Sequence, residues 1–493
     1  MNSMNWQAVY PELVLLVMGC VIALVDLWVA DPRRLPTYLL TQATLAVVAA
    51  LHLLEFDRGS TLYAMQRMVV ADPMGHLLGG FASLAVMISL VYARPYAASR
   101  DMLKGELFTL SIFSLLGISV MMSANNFLVV YLGLELMSLS LYALTAMRRD
   151  HAPATEAAMK YFVLGALASG FLLYGLSMMY GATGSLDISE VFKAIGTGQI
   201  NRAVLILGTV FVVSGLAFKL GAVPFHMWIP DVYQGAPTAV TLLIAGAPKL
   251  AAFAITIRLL VEGMLGMAVD WQQMLVVLSV GSMALGNLAA IAQTNIKRML
   301  GYSTIGQVGF LLLGLCSGVV GANTLSAANA YSSSMFYAIT YVLTTLGTFG
   351  LVMLLSRQGF EAEQIDDFKG LARRSPWFAF VMAIFMVSLT GLPPTVGFYA
   401  KLSVLQALVS TNGTGYIALA VVAVLLSLVG AFYYLRLVKV MFFDEPTDSA
   451  PLESNADVRA VLSLNGLAVL GLGLLPGGLM TWCAQAIVKT LAT

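Results

Sequence analysis

The sequence predicts an all-α integral membrane protein with about fourteen transmembrane helices, grouped as two inverted five-helix repeats that each contain a broken helix. Three observations lead to this fold class. Of the 493 residues, 59% are hydrophobic and only 10% are charged, whereas a soluble domain carries about 25% charged residues. The apolar residues are collected in runs long enough to cross a bilayer. Two of these runs are interrupted by glycine and proline close to a lysine.

The apolar runs are candidate membrane helices. In chain order they cover residues 8–29, 36–54, 73–93, 106–123, 126–147, 156–180, 203–223, 237–261, 272–292, 298–318, 328–356, 377–409, 415–443 and 460–488. They divide the chain into an N-terminal three-helix segment (1–105), a first five-helix repeat (106–262), a second repeat (263–443), and a polar loop with the last helix (444–493). Because five is odd, the second repeat must run inverted relative to the first.

The basic residues of the connecting loops are distributed unevenly between the two sides. The loops after odd-numbered runs contain 16 lysines and arginines, and the loops on the other side contain five. Basic loops are typical of the cytoplasmic side. We therefore expect the odd loops to face the cytoplasm and both termini to lie outside. The net charge of +1 and the lack of a basic run do not indicate a nucleic-acid partner.

The two broken helices are the main functional signal. Lys219 lies inside an apolar run, and Gly221 and Pro224 directly after it open the helix. The pattern recurs as Gly-Leu-Pro-Pro-Thr-Val-Gly at 391–397, with Lys401 just beyond. A charge inside a membrane costs a few kcal/mol unless it faces protein, water or a counter-charge, and unwound backbone is tolerated only along a cavity. Matching breaks in two repeats therefore indicate transport at the repeat interface.

Glu135 is a carboxylate near the middle of a span, and Lys219 is its predicted partner. An isolated buried carboxylate would take up a proton, because desolvation disfavours its charge. Beside a lysine it can stay ionised and respond to a proton that arrives on either partner. The alternative is a static ion pair that holds two helices together. The rarity of carboxylates inside spans favours the functional interpretation.

Lys249 and Lys401 are two further amines well inside apolar runs. Lys249 directly follows Pro248, which loosens the helix beside the amine. Desolvation destabilises a charged amine, so a lysine at such a position can accept and release protons. The alternative is that the side chain extends to an interface. Neither end of the run is within easy reach of these positions, which favours the proton-transfer interpretation.

Three residues are candidates for auxiliary roles. Lys160, near the start of its span, either joins a proton route or extends to the cytoplasmic surface. His226 lies two turns beyond the lysine of the first break if the helix resumes, and it either relays protons or caps the broken helix. Tyr302 either extends a hydrogen-bonded chain or serves only in helix packing. Separately, Arg258 and Glu262 have the spacing of a structural ion pair on one helix.

The sequence gives no motif for a cofactor or metal in this chain. Cys20, Cys316 and Cys483 stand alone without a Cys-x-x-Cys pair, which argues against iron–sulfur clusters and structural zinc. A glycine-rich stretch at 471–477 lies in an apolar span with no strand before it, so it does not indicate a dinucleotide. We therefore expect the energy for transport to be supplied outside this chain.

Three stretches resemble the antiporter-like subunits of proton-pumping NADH:quinone oxidoreductase (respiratory complex I). They are Lys-Leu-Gly-Ala-Val-Pro-Phe-His-Met-Trp-Ile-Pro-Asp-Val-Tyr-Gln-Gly-Ala-Pro-Thr (219–238), Gln-Thr-Asn-Ile-Lys-Arg-Met-Leu-Gly-Tyr-Ser-Thr-Ile (293–305) and Gly-Leu-Pro-Pro-Thr-Val-Gly-Phe-Tyr-Ala-Lys (391–401). The continuation after Pro-Asp is similar to the subunit N type, from which the sister subunits L and M diverge. Lysine at 401, where subunit M usually has glutamate, also favours that type. The resemblance covers nearly the whole chain.

The resemblance implies a fourteen-helix fold with inverted repeats and a proton route. Motif by motif, it implies that the family's helix-five glutamate, broken-helix-seven lysine, helix-eight lysine and broken-helix-twelve lysine are Glu135, Lys219, Lys249 and Lys401. The auxiliary positions that it implies are Lys160, His226 and Tyr302. Pro248 directly before Lys249 is a departure from the family pattern.

The same resemblance implies that the chain is a membrane subunit of an enzyme complex, with no redox centre of its own. FMN, iron–sulfur clusters and quinone are expected in companion subunits, and quinone reduction there would drive proton movement here. The expected partners are antiporter-like subunit M, small subunits such as K, J and A, and the lipid bilayer. The expected location is the inner membrane of a bacterium, with both termini on the periplasmic side.

Other function classes stay open at this point. A subunit of a multi-subunit Na+/H+ antiporter or of a membrane-bound hydrogenase shares the fold and the lysines. An independent transporter of an organic solute would need a polar pocket beyond the line of lysines, and the sequence shows no such cluster. An assembly scaffold with vestigial lysines would tolerate their replacement.

Overall fold

Long helices contain nearly all of the regular structure, because backbone groups in an apolar run find their partners only within the same helix. The computed structural model describes residues 4–320, 323–446, 452 and 455–492. The α-helices in this part of the chain are α1 (Tyr10–Asp26), α2 (Leu35–Arg58), α3 (Pro73–Ala98), α4 (Gly105–Met122), α5 (Phe127–Thr145), α6 (Ala152–Thr183), α7 (Ile188–Gly196), α8 (Arg202–Leu220), α9 (Trp228–Gly235), α10 (Thr238–Ala245), α11 (Ala247–Thr256), α12 (Ala268–Ile291), α13 (Ile296–Leu315), α14 (Ala327–Leu355), α15 (Leu371–Arg374), α16 (Pro376–Thr390), α17 (Val396–Val409), α18 (Thr414–Phe443), α19 (Ala456–Leu474) and α20 (Gly477–Leu491).

Short elements connect these helices. A π-helical segment (Ile257–Gly263) continues α11, and the 3-10 helices are Trp6–Val9, Leu265–Met267 and Ile365–Phe368. Between α2 and α3 the chain forms a hairpin of two antiparallel strands, β1 (Leu62–Ala64) and β2 (Val69–Ala71), with Leu62 opposite Ala71. The sequence analysis did not predict this hairpin, because strands of three residues leave no clear alternation of apolar and polar residues.

Within the described residues, 12 helices are long and apolar enough to cross a membrane. Each of them matches one of the predicted spans. The predicted span 298–318 corresponds to α13, a helix of 20 residues, and the predicted span 377–409 is divided between the shorter apolar helices α16 and α17. The all-helical membrane fold is confirmed. The total of fourteen crossings and their division into two repeats stay predictions.

Both predicted helix breaks are present. α8 ends at Leu220 and α9 begins only at Trp228, while α16 ends at Thr390 and α17 begins at Val396. The peptide bonds before Pro224 and Pro394 are cis.

The last predicted span (460–488) differs from the prediction, because it is divided between α19 and α20. The division falls at Pro476, which cannot donate a backbone hydrogen bond inside a helix. Seven of the 16 residues of the polar loop predicted before this span (444–459) lie outside the described residues.

The core of the molecule follows α10, α11 and α14. The most apolar stretch of Thr238–Gly263 is 100% buried and that of α14 is 89% buried, whereas that of α18 is 22% buried. A helix that is apolar all round and wholly enclosed by protein belongs to the centre of a bundle. Lys249 therefore lies on a central helix, and α18 lies at the periphery, where its apolar surface suits lipid or a neighbouring subunit.

Several helix pairs cross closely at glycine, among them α4 with α5 and α12 with α13. A Cβ atom on Gly117 of α4 would lie 2.4 Å from the backbone nitrogen of Met137 in α5. A Cβ atom on Gly286 of α12 would lie 2.6 Å from the backbone nitrogen of Gly306 in α13. Small residues at such crossings allow membrane helices to approach each other. These pairs are the first two helices of the two predicted repeats, and the division into repeats stays a prediction.

Candidate functional site

The end of α8 is the first part of the site. Gly221 ends the helix with φ of 86° and donates its backbone N–H to the carbonyls of Ala217 and Phe218, at 2.8 and 3.1 Å. Glycine tolerates this left-handed conformation without a Cβ penalty. Because the chain leaves the helix here, the carbonyl of Leu220 has no partner within α8. It is a buried acceptor that faces the centre of the bundle.

Lys249 satisfies this acceptor. The break at Gly246 lets α11 begin anew with Pro248 in its first turn, a position where proline is tolerated. The Lys249 Nζ atom donates to the Leu220 carbonyl at 2.7 Å and lies 5.5 Å from the ring centre of Trp228. The side chain is buried. Within the described chain, no carboxylate lies within 4.0 Å of this amine.

Lys401 occupies the same kind of position at the second break. Its Nζ atom donates to the carbonyls of Leu389 and Thr390, at 3.1 and 2.9 Å, and to Ser427 Oγ at 2.8 Å. Gly391 ends α16 with φ of 86°, the same value as at the first break. The partial negative charge of a helix C-terminus stabilises a cation. Both amines are thus held by the open end of a broken helix.

The position of Lys219 differs from that of Lys401. Lys219 is on α8, two residues before the glycine of its break, whereas Lys401 is on α17, ten residues after the glycine of its break. The sequence analysis paired these two lysines as counterparts. The contacts instead pair Lys401 with Lys249, since each donates to the residue directly before its glycine, Thr390 or Leu220. The sequence pattern could not separate the two, because each lysine is close to a break in the linear chain.

The predicted direct pair between Glu135 and Lys219 is not formed. The Lys219 Nζ atom donates to Ser138 Oγ at 2.9 Å, and it is not within 4.0 Å of the Glu135 carboxylate. Ser138 is three residues after Glu135, on the same side of α5. The Glu135 Oε1 atom is buried without a hydrogen-bond partner. The Ser138 hydroxyl therefore accepts the hydrogen bond of the Lys219 amine in place of the Glu135 carboxylate.

A charged cavity of about 400 Å³ lies beside α6 and α9. Lys160 Nζ lies 2.8 Å from Asp231 and 2.8 Å from Glu156. Arg298 lies 2.7 Å from the other carboxylate oxygen of Asp231, and its guanidinium is 5.9 Å from the ring centre of Tyr302. Lys160 therefore takes part in an ion network and does not simply extend into the aqueous phase.

The Asp231 carboxylate is held in its charged form by this network. Partial burial alone would raise its pKa, but hydrogen bonds and charges from Lys160 and Arg298 prevail, and the net effect lowers the pKa from its usual value. Lys297 adds an ion pair of 2.7 Å with Glu363 in the same cavity. In the sequence we considered Asp231 only as part of a family motif. The feature that could have indicated a site residue is a carboxylate in a short segment between two apolar runs.

The position of His226 differs from the geometric prediction. The chain does not resume a helix until Trp228, so His226 lies in the turn between α8 and α9. It is not two helical turns from Lys219 on one face. Gly221 and Pro224 together keep this stretch out of the helical conformation. No hydrogen bond joins His226 to Lys219 within the residues described.

A buried hydrogen-bond network surrounds Lys401. Gln307 Nε2 donates to the Leu389 carbonyl and to Tyr434 Oη, at 2.9 Å each, and Tyr337 Oη donates to Gln307 Oε1. A cavity of about 20 Å³ lies between Gln307, Tyr337 and Lys401, which is room for one water molecule. We did not predict a role for Gln307 from the sequence. The feature that could have indicated one is a polar side chain one turn after Ser303 on an apolar helix.

Sequence comparison identifies relatives of this arrangement. The chain is 65% identical to NADH-quinone oxidoreductase subunit N of Herminiimonas arsenicoxydans over 497 aligned residues, which cover 100% of both chains. The chain belongs to the NADH-quinone oxidoreductase subunit N family. The model of a broader family, described as "NADH:quinone oxidoreductase/Mrp antiporter, TM", matches residues 124–427. That interval contains all four predicted principal residues of the site, Glu135, Lys219, Lys249 and Lys401.

Solved structures show the same fold as this subunit N family member. A chain of respiratory complex I from Thermus thermophilus, solved with bound aureothin, is 30% identical, with a TM-score of 0.79 and coverage of 96% of this chain and 98% of that one. A chain of the Mrp complex from Dietzia is 21% identical, with a TM-score of 0.85 and coverage of 100% and 99%. The second likeness shows a shared fold alone.

Proposed function

We propose that this subunit N chain carries protons across the membrane through Glu135, Lys219, Lys249 and Lys401. The family belongs to NADH-quinone oxidoreductase, and proton translocation is its general role. The observation that carries the residue assignment is the pair of buried ammonium groups at broken helix ends, Lys249 on Leu220 and Lys401 on Thr390. We infer the remaining proton-transfer steps from the hydrogen-bond acceptors of each lysine amine.

Lys249 and Lys401 are built to hold a proton reversibly. Backbone carbonyls stabilise an ammonium group without neutralising it, since they carry partial charge only. A buried carboxylate in contact would instead fix the amine in its charged form. The site therefore lowers the cost of a buried charge while leaving the amine free to lose its proton when a nearby charge changes. Such an amine suits proton transfer better than a permanent ion pair does.

Glu135 and Lys219 supply the charge that changes. At an effective dielectric constant near 20, two unit charges about 4 Å apart interact by roughly 4 kcal/mol. That energy is sufficient to transfer a proton between two amines whose affinities are similar. Since Ser138 binds the Lys219 amine here, a small movement of Lys219 toward Glu135 strengthens the interaction. The proton that Lys219 releases passes to Lys249, and Lys401 passes one to the far side.

The charged cavity beside Asp231 is the proposed entrance. This cavity connects ionic groups at the surface, including the partly exposed Lys160, to α9, the helix that begins after the first break. Lys160, His226 and Tyr302 are assigned auxiliary roles along this side. Along the chain, His226 lies between the end of α8 and the cavity residue Asp231. This position supports a role for His226 in the turn between α8 and α9.

Proton movement in this chain requires an energy source from other subunits. As a member of a complex I family, the chain works with other complex I subunits, and FMN, iron–sulfur clusters and quinone are assigned to those companions. Antiporter-like subunit M and small subunits K, J and A are the proposed neighbours. The proposed location is the bacterial inner membrane with both termini periplasmic, as the distribution of basic loop residues indicates.

Replacement of Lys219 by alanine in the assembled complex tests the proposal. We expect Lys219→Ala and Glu135→Gln to retain assembly but to reduce coupled electron transfer and proton pumping in reconstituted vesicles. Lys193→Ala is the control, because this lysine is exposed and, among the described residues, forms its ion pair only with its helical neighbour Glu190. Normal pumping by an assembled Lys219→Ala complex would refute the scheme and favour an assembly scaffold.

The same preparation separates the other candidate functions. Co-purification with flavin and iron–sulfur subunits supports the complex I assignment, which the 65% identity to a subunit N already favours over a Na+/H+ antiporter or a hydrogenase. Uptake of an organic solute by the purified chain alone would indicate an independent transporter.

A further inference from the structure

A second buried polar chain lies outside the site described above, in α1 to α4. His52 of α2 and His76 of α3 are 4% and 7% exposed, and their Nδ1 atoms are 3.2 Å apart. In a hydrogen bond between two ring nitrogens, one must carry the proton and the other must accept it. The two imidazoles therefore share one proton at this contact.

The other neighbours of His52 determine the direction of the chain. Ser119 of α4 donates its hydroxyl to Glu12 Oε1 at 3.0 Å, so its oxygen is available as an acceptor. The His52 Nε2 atom lies 3.4 Å from that oxygen. His52 consequently carries its proton on Nε2 and accepts at Nδ1, where His76 must donate. All three hydrogen bonds point from His76 toward Glu12.

Glu12 ends the chain in a position that favours a proton. The residue is 9% exposed, and its Oε2 atom is buried with no hydrogen-bond partner in the part of the chain that the structure describes. A buried carboxylate oxygen without a donor is costly, and a proton on the carboxyl group lowers that cost, because a neutral carboxyl group loses less on desolvation than a carboxylate. The sequence analysis did not assign Glu12, His52 or His76 a role in proton transfer, because they lie near the ends of spans.

The approach of the two imidazoles is built into the packing of α2 and α3. A Cβ atom on Gly79 would lie 2.7 Å from Cε1 of His52. Any residue other than glycine at this position would therefore push the His52 ring aside. Gly79 is one turn after His76, so the same helical face of α3 supplies the donor ring and the space for the acceptor ring.

We propose that His76, His52, Ser119 and Glu12 form a second proton relay in the N-terminal helices. A proton that binds His76 at Nε2 releases the Nδ1 proton to His52 Nδ1. His52 then passes its Nε2 proton to the Ser119 oxygen, and the Ser119 hydroxyl proton moves to Glu12. One proton enters, Glu12 gains one, and the other three groups keep their number. The ligand of this site is therefore the proton itself.

A charged group at the His76 end lies on the same continuous helical segment as Lys249. Arg258 lies on the π-helical continuation of α11, the helix of Lys249, and forms a 2.7 Å ion pair with Asp72, which is four residues before His76. Arg258 also pairs with Glu262 at 3.0 Å, which confirms the predicted structural pair and adds Asp72 as the stronger partner. Three further polar side chains lie near the imidazoles or near the C-terminal end of α2. They are Glu55, Thr490 and Lys489.

Two serines provide a matched pair of variants. Ser119 and Ser123 both donate to Glu12 Oε1, at 3.0 and 3.1 Å, but only Ser119 also contacts His52. Ser119→Ala and Ser123→Ala each remove one hydrogen bond from Glu12, and only the first interrupts the relay. Ser119→Thr restores the hydroxyl. The two alanine substitutions each remove a single oxygen atom, so they change the volume of the helix contact little.

The experiment is a pH jump on the purified complete complex, followed by time-resolved infrared spectroscopy. The carbonyl band of protonated Glu12 is identified by its loss in Glu12→Gln. We expect Ser119→Ala and His52→Phe to slow the appearance of this band by about 10²-fold, the usual contribution of a positioned proton-transfer group. Ser123→Ala and Ser119→Thr should keep the wild-type rate.

Two outcomes would overturn the relay. Equal rates in Ser119→Ala and Ser123→Ala would show that Glu12 exchanges its proton without His52. Absence of a band that depends on Glu12 at any accessible pH would show that Glu12 does not take up the proton. Neither measurement uses pumping or the four principal residues, so failure here leaves the proposed function of Lys219 and Lys249 unaffected.

Discussion

The Lys249 ammonium group donates a 2.7 Å hydrogen bond to the carbonyl oxygen of Leu220, the last residue of α8 before the helix breaks. This contact joins two helix breaks. One follows Leu220 at the end of α8, and the other is at Gly246, directly before α11, which carries Lys249. The amine replaces the partner that an unbroken helix would have given the carbonyl. The break and the buried charge therefore stabilise each other, and neither is an isolated defect.

Loss of the Ser138 hydroxyl should weaken coupling at Lys219. Ser138→Ala removes the 2.9 Å acceptor of the Lys219 amine, and a hydrogen bond to a charged group contributes about 1.5–3 kcal/mol. We expect slower coupled NADH:quinone electron transfer in membranes. Ser140→Ala is the control, because that hydroxyl bonds only the Leu136 carbonyl of its own helix. A similar loss in both variants would assign the effect to helix packing.

An alanine at Gly391 should displace Lys401. The new Cβ would lie 2.6 Å from Lys401 Cδ, and the left-handed backbone costs about 1–2 kcal/mol for any other residue. We expect lower thermal stability together with reduced proton pumping. Gly184→Ala shares the backbone cost, since Gly184 ends α6 with φ of 73°, but it meets nothing within 4 Å. Pumping that falls equally in both variants would contradict a specific effect on Lys401.

The ion network of Asp231 should contribute stability that depends on pH. Lys160 and Arg298 lower the Asp231 pKa in the folded protein, against the effect of partial burial. A lowered folded pKa gives stability that is present above the unfolded value, about 3.9, and is lost as the pH falls through the folded value. Because the Asp231 side chain is 34% exposed, solvent screens its ion pairs, and Asp231→Asn should cost about 1 kcal/mol or less at neutral pH. Thermal unfolding of the complex at neutral and acid pH measures this.

The Asp231 result has a matched control. Asp366→Asn removes an exposed carboxylate that pairs with Lys369 at 2.9 Å, three residues away. It should leave the unfolding temperature unchanged at both pH values. A difference between wild type and Asp231→Asn that persists unchanged in acid would show that the charge of Asp231 is not its source.

The sequence was sufficient to predict the helical membrane fold and the buried lysines. A long apolar run forces a helix, and a lysine inside it must be accommodated by protein. It was not sufficient to predict which atom each lysine contacts. Lys219 reaches Ser138 and not Glu135 because both lie on one side of α5 and the serine hydroxyl is nearer. That choice depends on side-chain distances that spacing along the chain does not contain.

Contacts between distant segments explain the other differences. Asp72 and Arg258 are far apart in sequence, yet both belong to one buried ion pair. Asp231 likewise gains Lys160 and Arg298 only when three helices meet. By contrast, the effects of Gly221 and Gly391 are local, because glycine followed by proline ends a helix whatever surrounds it. The breaks at Gly221 and Gly391 were therefore predicted correctly, whereas the division at Pro476 and the partners across helices were not.

The proton-to-electron ratio of the reconstituted complex carrying Lys249→Met tests whether Lys249 transfers protons. Methionine keeps the apolar stem and removes only the charge and the donor to Leu220. We expect an assembled complex with a reduced number of protons pumped per electron pair. A ratio equal to that of the wild type, measured in an assembled Lys249→Met complex, would show that Lys249 takes no part in proton transfer.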